Sequence, residues 1–225
     1  MKDCAEKRER GGKANSNIKA IIFDVGGVLA LGRKSFFLKN HSSKGVHEYM
    51  AKKLRISLDT WFDSIDTIYA EAIEGKVSKE KALEVMSKNN KISRDKLERL
   101  FVRAYRKNFK QNRRLYGLAF KLKEKGYKIA ILSDQWQVSK EALMPEKYTL
   151  RFDAAVVSCD VGFRKPNIKI YKLMLKKLKT HYKNSVFIDN RDWNLKPARK
   201  LGIKVILFKD NRQLVKDLRK LGVKT

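Results

Sequence analysis

At 225 residues and 43% hydrophobic, the chain suits one large domain, or a core with a small insert, around a buried interior. Two cysteines, Cys4 and Cys159, exclude a disulfide framework, while the polar N-terminus and the lack of any roughly 18-residue charge-free apolar run exclude a signal peptide and a membrane span. A cytoplasmic protein is expected; its net charge of +29 is spread along the chain with no single dense block, which favours the background of a lysine-rich proteome over a dedicated nucleic-acid site and leaves non-specific nucleic-acid binding as its consequence.

Residues 1–17 read as a disordered basic tail. From Ile18 the run IKAIIFD is rich in β-branched and aromatic residues and meets Gly26 and Gly27, as a buried strand ending in a tight turn does. Residues 33–114 show helical spacing only, as in Trp61, Ile65, Ile68, Tyr69 and Ile73, with Ser78 and Ser93 as N-caps. Within them FVRAYRKNFKQNRRLY (101–116), with aromatics at intervals of four, predicts one amphipathic helix packed on the insert's core. Strands and helices then alternate: helix LYGLAFKLKEKG, strand YKIAILS, strand AAVVS, helix NIKIYKLMLKKLK, strand SVFID, helix LKPARKLG, strand KVILF and helix NRQLVKDLRKLG. Gly126, Gly202 and Gly222 fall where helix C-caps belong. The expected fold is α/β, a Rossmann-like parallel sheet built from residues 18–32 and 115–225, with a helical domain inserted over 33–114.

In such a sheet ligands bind outside the carboxyl ends of the strands. Asp24, Ser133 and Asp189 each end a predicted strand, and Lys165 sits in VGFRKP just before a helix. Two carboxylates, a hydroxyl and an ammonium converging there suit metal-assisted transfer of a small anionic group.

Four segments in order, IIFDVGGVL, AILSDQ, VGFRKPNIKIY and VFIDNRDWN, resemble the motifs of the haloacid dehalogenase (HAD) superfamily of hydrolases, with a helical cap inserted after the first. The resemblance runs from about Ile18 to Phe208. It implies that Asp24 is the nucleophile, forming an aspartyl-phosphate that water hydrolyses. It implies that Asp24, Asp189 and the Gly26 carbonyl hold Mg²⁺, the hard cation that carboxylate and carbonyl oxygens favour. Ser133, the Asp134 backbone N–H, Gly27 and Lys165 would bind the phosphate, and Lys165 would keep the nucleophile ionised.

Two positions depart from the family pattern. Most phosphatases of the superfamily carry a second Asp two residues after the nucleophile as general acid and base; here that residue is Gly26. General acid–base catalysis is worth about 10²–10⁴-fold. A glycine branch nevertheless includes phosphatases. A good leaving group, such as a sugar 1-phosphate or an acyl phosphate, would lower the need, and His41 or His47 could supply the proton, although each reads as an ordinary surface histidine. Asn190 replaces the second acid of the fourth motif and can bond a metal-bound water. Asn194 would orient that loop, and Asp192 would add outer charge. Trp136 could stack on a substrate ring or pack on the cap.

The expectation is therefore a Mg²⁺-dependent phosphatase of a small phosphorylated metabolite, monomeric or homodimeric. The alternatives are a weakly active relative serving as a polyanion-binding protein, and a hydrolase of another bond such as carbon–halogen.

Overall fold

Strand β1 (Ala20–Phe23) is the middle of a five-stranded sheet because every one of its residues is apolar and can be covered from both sides. A computed structural model of the protein describes residues 18–32 and 44–225. The expected tail over 1–17, Cys4 and His41 lie outside the described residues. After β1 come β2 (Ala30–Gly32) and four helices, α1 (Lys44–Leu54), α2 (Leu58–Ile73), α3 (Lys79–Asn89) and α4 (Arg94–Asn108). The chain returns through β3 (Phe109–Gln111) and α5 (Arg113–Glu124) to β4 (Lys128–Ser133). There follow α6 (Gln137–Leu143), α7 (Glu146–Thr149), β5 (Ala154–Val157), α8 (Ser158–Val161) and α9 (Ile168–Leu178). Strand β6 (Ser185–Asp189), α10 (Asp192–Lys200), β7 (Lys204–Leu207) and α11 (Asn211–Lys220) complete the order.

The sheet runs β5-β4-β1-β6-β7, and every pairing in it is parallel. Strand side chains alternate between two cores. Ile21, Phe23, Ile129, Ile131 and Ile188 join the core that continues into the inserted helices, while Ala20, Ile22, Leu132 and Phe187 face the other, with Tyr171 and Met174 of α9. Register pairs Phe23 with both Ile131 and Ile188. The next residues along β1 and its two neighbours are therefore Asp24, Leu132 and Asp189, which brings the two aspartates to one rim.

Helix ends follow the residue types. Ser57 and Ser78 accept from backbone N–H groups inside α2 and α3, whereas Ser93 precedes α4 with no such side-chain bond. Gly126, Gly202 and Gly222 take the left-handed conformation just past their helices, as their positions predict.

The stretch 101–116 is not one helix. Helix α4 stops at Asn108, Phe109–Gln111 pair antiparallel with Ala30–Gly32, and α5 begins at Arg113. Asn112 is the reason the chain turns there. Its N–H donates to the Leu29 carbonyl, its side chain donates to the Val28 carbonyl at 3.0 Å, and its Oδ1 accepts the Leu115 N–H at the start of α5. A buried asparagine thus clamps the exit of the inserted helices to their entry, and tertiary hydrogen bonding overrides the four-residue aromatic period.

Candidate active site

The carboxyl rim of β1, β4 and β6 carries a buried ion triad. The Lys165 Nζ lies 2.9 Å from Asp24 Oδ1 and 2.7 Å from Asp189 Oδ2. Lys165 is 4% exposed, Asp24 6% and Asp189 fully buried, so these charges have almost no water to replace one another's company. The two aspartates hold the Lys165 ammonium well above the ordinary lysine range, although burial alone would lower it. Asp24 shows the opposite balance: desolvation, opposed by Lys165 and reinforced by Asp189, pushes its carboxyl up to about 6. Asp189 is further fixed by the Arg191 N–H on Oδ1 at 2.8 Å and by Asn194 Nδ2 on Oδ2 at 3.0 Å. Asn194 therefore sits at the site as the sequence suggests.

Ser133 also reaches the rim but does not line the cleft. It is fully buried, its Oγ accepts from Gln135 Nε2 at 3.1 Å, and α6 starts later, at Gln137, so Ser133 is not a helix N-cap. Asp134 does line the cleft; its Oδ1 accepts the Lys165 N–H at 3.0 Å, and burial raises its carboxyl above the usual range. Gly26 faces the cleft, whereas the Gly27 N–H is taken by the Ala30 carbonyl at 2.8 Å, which leaves it no proton for a phosphate. Gly27 is required for another reason. Its φ is +89°, and a β-carbon there would fall 2.4 Å from Asn190 Nδ2.

The cleft has a volume of about 340 Å³ and is walled by Tyr69 and Ile73 of α2 and Tyr105 of α4 opposite the charged floor. The tyrosine hydroxyls meet at 2.8 Å, and Tyr105 also accepts from Trp136 Nε1 at 2.9 Å. Trp136 is buried, in edge contact with Phe101 at 4.9 Å, so it packs against the inserted helices rather than standing free for a ring. His47 is not a surface residue: it is 1% exposed, accepts from Trp61 Nε1 at 3.0 Å, and does not line the cleft. Asp192 points outward to Lys196 and Arg199 at the start of α10 and adds no charge to the floor.

Two arginines line the cleft, and no local pattern singles them out among 53 basic residues. Arg164 pairs with Glu74 at the end of α2 at 3.2 Å. Arg191 is half-buried over the Trp193 ring, 4.9 Å from its centre, and among the described residues it forms no ion pair. Tyr69 and Tyr105 were legible only as core aromatics on a helical stripe.

Among the described residues no three His, Cys, Asp or Glu side chains gather to hold a metal. The oxygens available near the floor are the Asp24 and Asp189 carboxylates and the carbonyl of cleft-lining Gly26, and beside Gly27 lies Asn190 Oδ1, a buried oxygen with no hydrogen-bond partner among the described residues. An all-oxygen set with an orphaned acceptor fits a hard divalent cation.

A family model described as haloacid dehalogenase-like hydrolase matches residues 18–202. The chain is 37% identical over 108 residues to bifunctional epoxide hydrolase 2 of Sus scrofa, a match covering 46% of this chain and 20% of that protein. The chain therefore spans about a fifth of that relative's length. Among solved structures, a HAD family enzyme of Bacteroides thetaiotaomicron in complex with magnesium and inorganic phosphate superposes with a TM-score of 0.70 at 20% identity, covering 88% of this chain and 98% of that one. A predicted HAD-like hydrolase of Porphyromonas gingivalis gives 0.72 at 18% identity, covering 93% and 100%. At such identities these two similarities establish the parallel-sheet fold alone.

Proposed function

The chain belongs to the haloacid dehalogenase-like hydrolase family, and from that premise we propose that it is a Mg²⁺-dependent phosphatase of a small phosphorylated metabolite. The observation that carries this reading is the Lys165 ammonium between two buried carboxylates, 2.9 and 2.7 Å away, at the floor of a cleft. A structural ion pair has no need of a second carboxylate or of an opening above it.

In this reading Asp24 attacks phosphorus: a bond forms from its carboxylate oxygen as the ester P–O bond breaks, and water then hydrolyses the aspartyl-phosphate. A carboxyl with a pKa of about 6 is mostly ionised at neutral pH and needs no base to attack. Lys165 holds that carboxylate in place and offsets charge on the phosphate. Asp24, Asp189, the Gly26 carbonyl and Asn190 would hold Mg²⁺, whose charge, when bound, lets a phosphate dianion approach a carboxylate. Arg191, a cation in the cleft without a carboxylate of its own among the described residues, supplies a further contact for an anion. Ser133 accepts from Gln135 and keeps its own O–H proton to donate, but it is fully buried and joins only if the cleft opens down to it. Helices α2 and α4 act as a cap that excludes water above the reacting atoms, with Tyr69 and Tyr105 toward the substrate.

The test is phosphate release from a panel of phosphorylated sugars, nucleotides and acids, with and without Mg²⁺. The expected result is Mg²⁺-dependent release that falls on the order of 10³-fold or more in Asp24→Asn, with the fold retained by circular dichroism. Full metal-dependent turnover by pure Asp24→Asn protein would refute the assignment. A second reading, polyanion binding without turnover, draws on the +29 charge; it predicts no release from any compound in the panel.

A further inference from the structure

The phosphatase reading leaves one step without a residue. When the ester bond breaks, the departing oxygen needs a proton, and Gly26 has no side chain to give one. The described residues around the cleft offer few substitutes. His47 is sealed among Trp61, Phe62 and Tyr69 in the inserted helices, away from the cleft. Burial raises the Tyr105 phenol further above its already alkaline range, and Cys159, pushed up to about 12, does not line the cleft. Asp24 and Asp189 both belong to the Lys165 triad.

One carboxyl remains. Asp134 follows β4 directly, lines the same cleft as Asp24, Gly26 and Lys165, and is placed by a single hydrogen bond from the Lys165 N–H to its Oδ1. Among the described residues it enters no ion pair, and its other oxygen has no hydrogen-bond partner. The charges around it are Lys165, Arg164, Arg191, Asp24 and Asp189, with Glu74 of the helical insert held by Arg164. Burial raises its carboxyl, the direction a proton donor at neutral pH requires. The resemblance implies a role for the Asp134 backbone N–H alone, whereas its side chain shares the cleft lining with Gly26.

We propose that the Asp134 carboxyl is the general acid and base of the reaction, in the place that Gly26 leaves empty of a side chain. As Asp24 bonds to phosphorus and the P–O ester bond breaks, the Asp134 proton passes to the leaving oxygen and frees an alcohol. The Asp134 carboxylate then takes a proton from the incoming water. That water's oxygen bonds to phosphorus, the Asp24–phosphorus bond breaks, and inorganic phosphate, ionised Asp24 and protonated Asp134 result. The proposal rests on the phosphatase reading.

The experiment measures kcat/KM of wild type and Asp134→Asn, both with Mg²⁺, against phosphate monoesters graded from p-nitrophenyl phosphate to a simple alkyl phosphate. Asparagine keeps the acceptor for the Lys165 N–H and removes only the titrating proton. The expected loss is about 10²–10³-fold for the alkyl ester and under about 5-fold for p-nitrophenyl phosphate, whose leaving group needs no proton. An equal loss across the series, or none, overturns the proposal, since a merely positional role would affect all esters alike. The wild type gives a second check that requires no variant: donor assistance makes its rate nearly independent of leaving-group basicity, and a steep dependence contradicts it. A wild type active on aryl esters with a flat Asp134→Asn response sinks this proposal alone. A wild type that hydrolyses none of them sinks the phosphatase reading as well.

Discussion

Replacing Lys165 with methionine keeps an unbranched side chain one atom shorter and deletes the one positive charge that separates two buried carboxylates. At 2.7–2.9 Å and an effective dielectric near 20, each contact is worth roughly 6 kcal/mol before desolvation is counted. Most of that is cancelled by the cost of burying three ions, but removing one partner of a buried pair typically costs about 3–5 kcal/mol because the other is left uncompensated. At about 2–4 °C per kcal/mol for a chain of this size, the melting temperature should drop by roughly 6–20 °C. The loss should depend on pH. Asp24 has a folded pKa raised from 3.8 to about 6, so its contribution to stability is complete below about pH 4 and is lost as pH rises through 6. Lys165 opposes the burial of Asp24, and without it that loss extends to higher pH. Lys165 itself, held above the usual lysine range, stays charged across the window and would release its stabilisation only in strong alkali. The gap between wild type and Lys165→Met, measured by circular dichroism melts, should thus be wider at pH 8 than at pH 5. A gap below about 1 kcal/mol, or one equal at both pH values, would refute the picture of a triad whose repulsion Lys165 contains.

Three further outcomes follow from named contacts. Arg191→Ala should raise KM for phosphate monoesters by about 10-fold or more, with kcat changed less, if its cation meets the substrate's charge in the ground state; an unchanged KM would remove Arg191 from the binding account. Gly27→Ala forces a left-handed φ on a residue with a β-carbon and drives that carbon into Asn190, so melting should fall by about 1–2 kcal/mol or more, and a variant as stable as wild type would show that the turn can relax. Binding to duplex DNA, followed by fluorescence anisotropy, should weaken steeply with salt and show no sequence preference. A salt-insensitive or sequence-selective complex would point instead to a dedicated surface.

The parallel sheet was legible because its strands are buried on both faces and therefore read as unbroken apolar runs, IIF and VFI among them, each followed by an aspartate. The rim placement of Asp24 and Asp189 follows from that rule and from the order of strands. Side-chain partnership was not legible. Nothing in VGFRKP says that Lys165 lies between two carboxylates, since a lysine's reach depends on a loop whose path no local pattern fixes. His47 was misread for a similar reason: one histidine in GVHEYM resembles a surface residue until Trp61, 14 positions away, donates its indole N–H to it. The break at Asn108 was hidden because the aromatic period runs on through Phe109 while the hydrogen bonds that end the helix come from β2 and from Asn112. Periodicity reports which face is apolar, not where long-range polar contacts cut an element short.

The charge balance of the cleft explains why the chain's abundance of basic residues does not by itself make an anion site. Its floor and rim hold Asp24, Asp134 and Asp189 against Arg164, Lys165 and Arg191. Lys165 is committed to two aspartates and Arg164 to Glu74, which leaves Arg191 as the one cation there without a carboxylate among the described residues. In the proposed reaction a phosphate dianion entering against ionised Asp24 would find one uncommitted cation among the described residues, Arg191, which offsets only half of its charge. Either a divalent cation at the oxygen donors of Asp24, Asp189, Gly26 and Asn190 supplies the rest, or one carboxyl enters the reaction protonated. Burial raises both Asp24 and Asp134, and Asp134 is the one of the two outside the Lys165 triad. Under the proposed phosphatase reading the two would be complementary: the cation would answer the charge of the phosphate, and the proton that of the leaving oxygen.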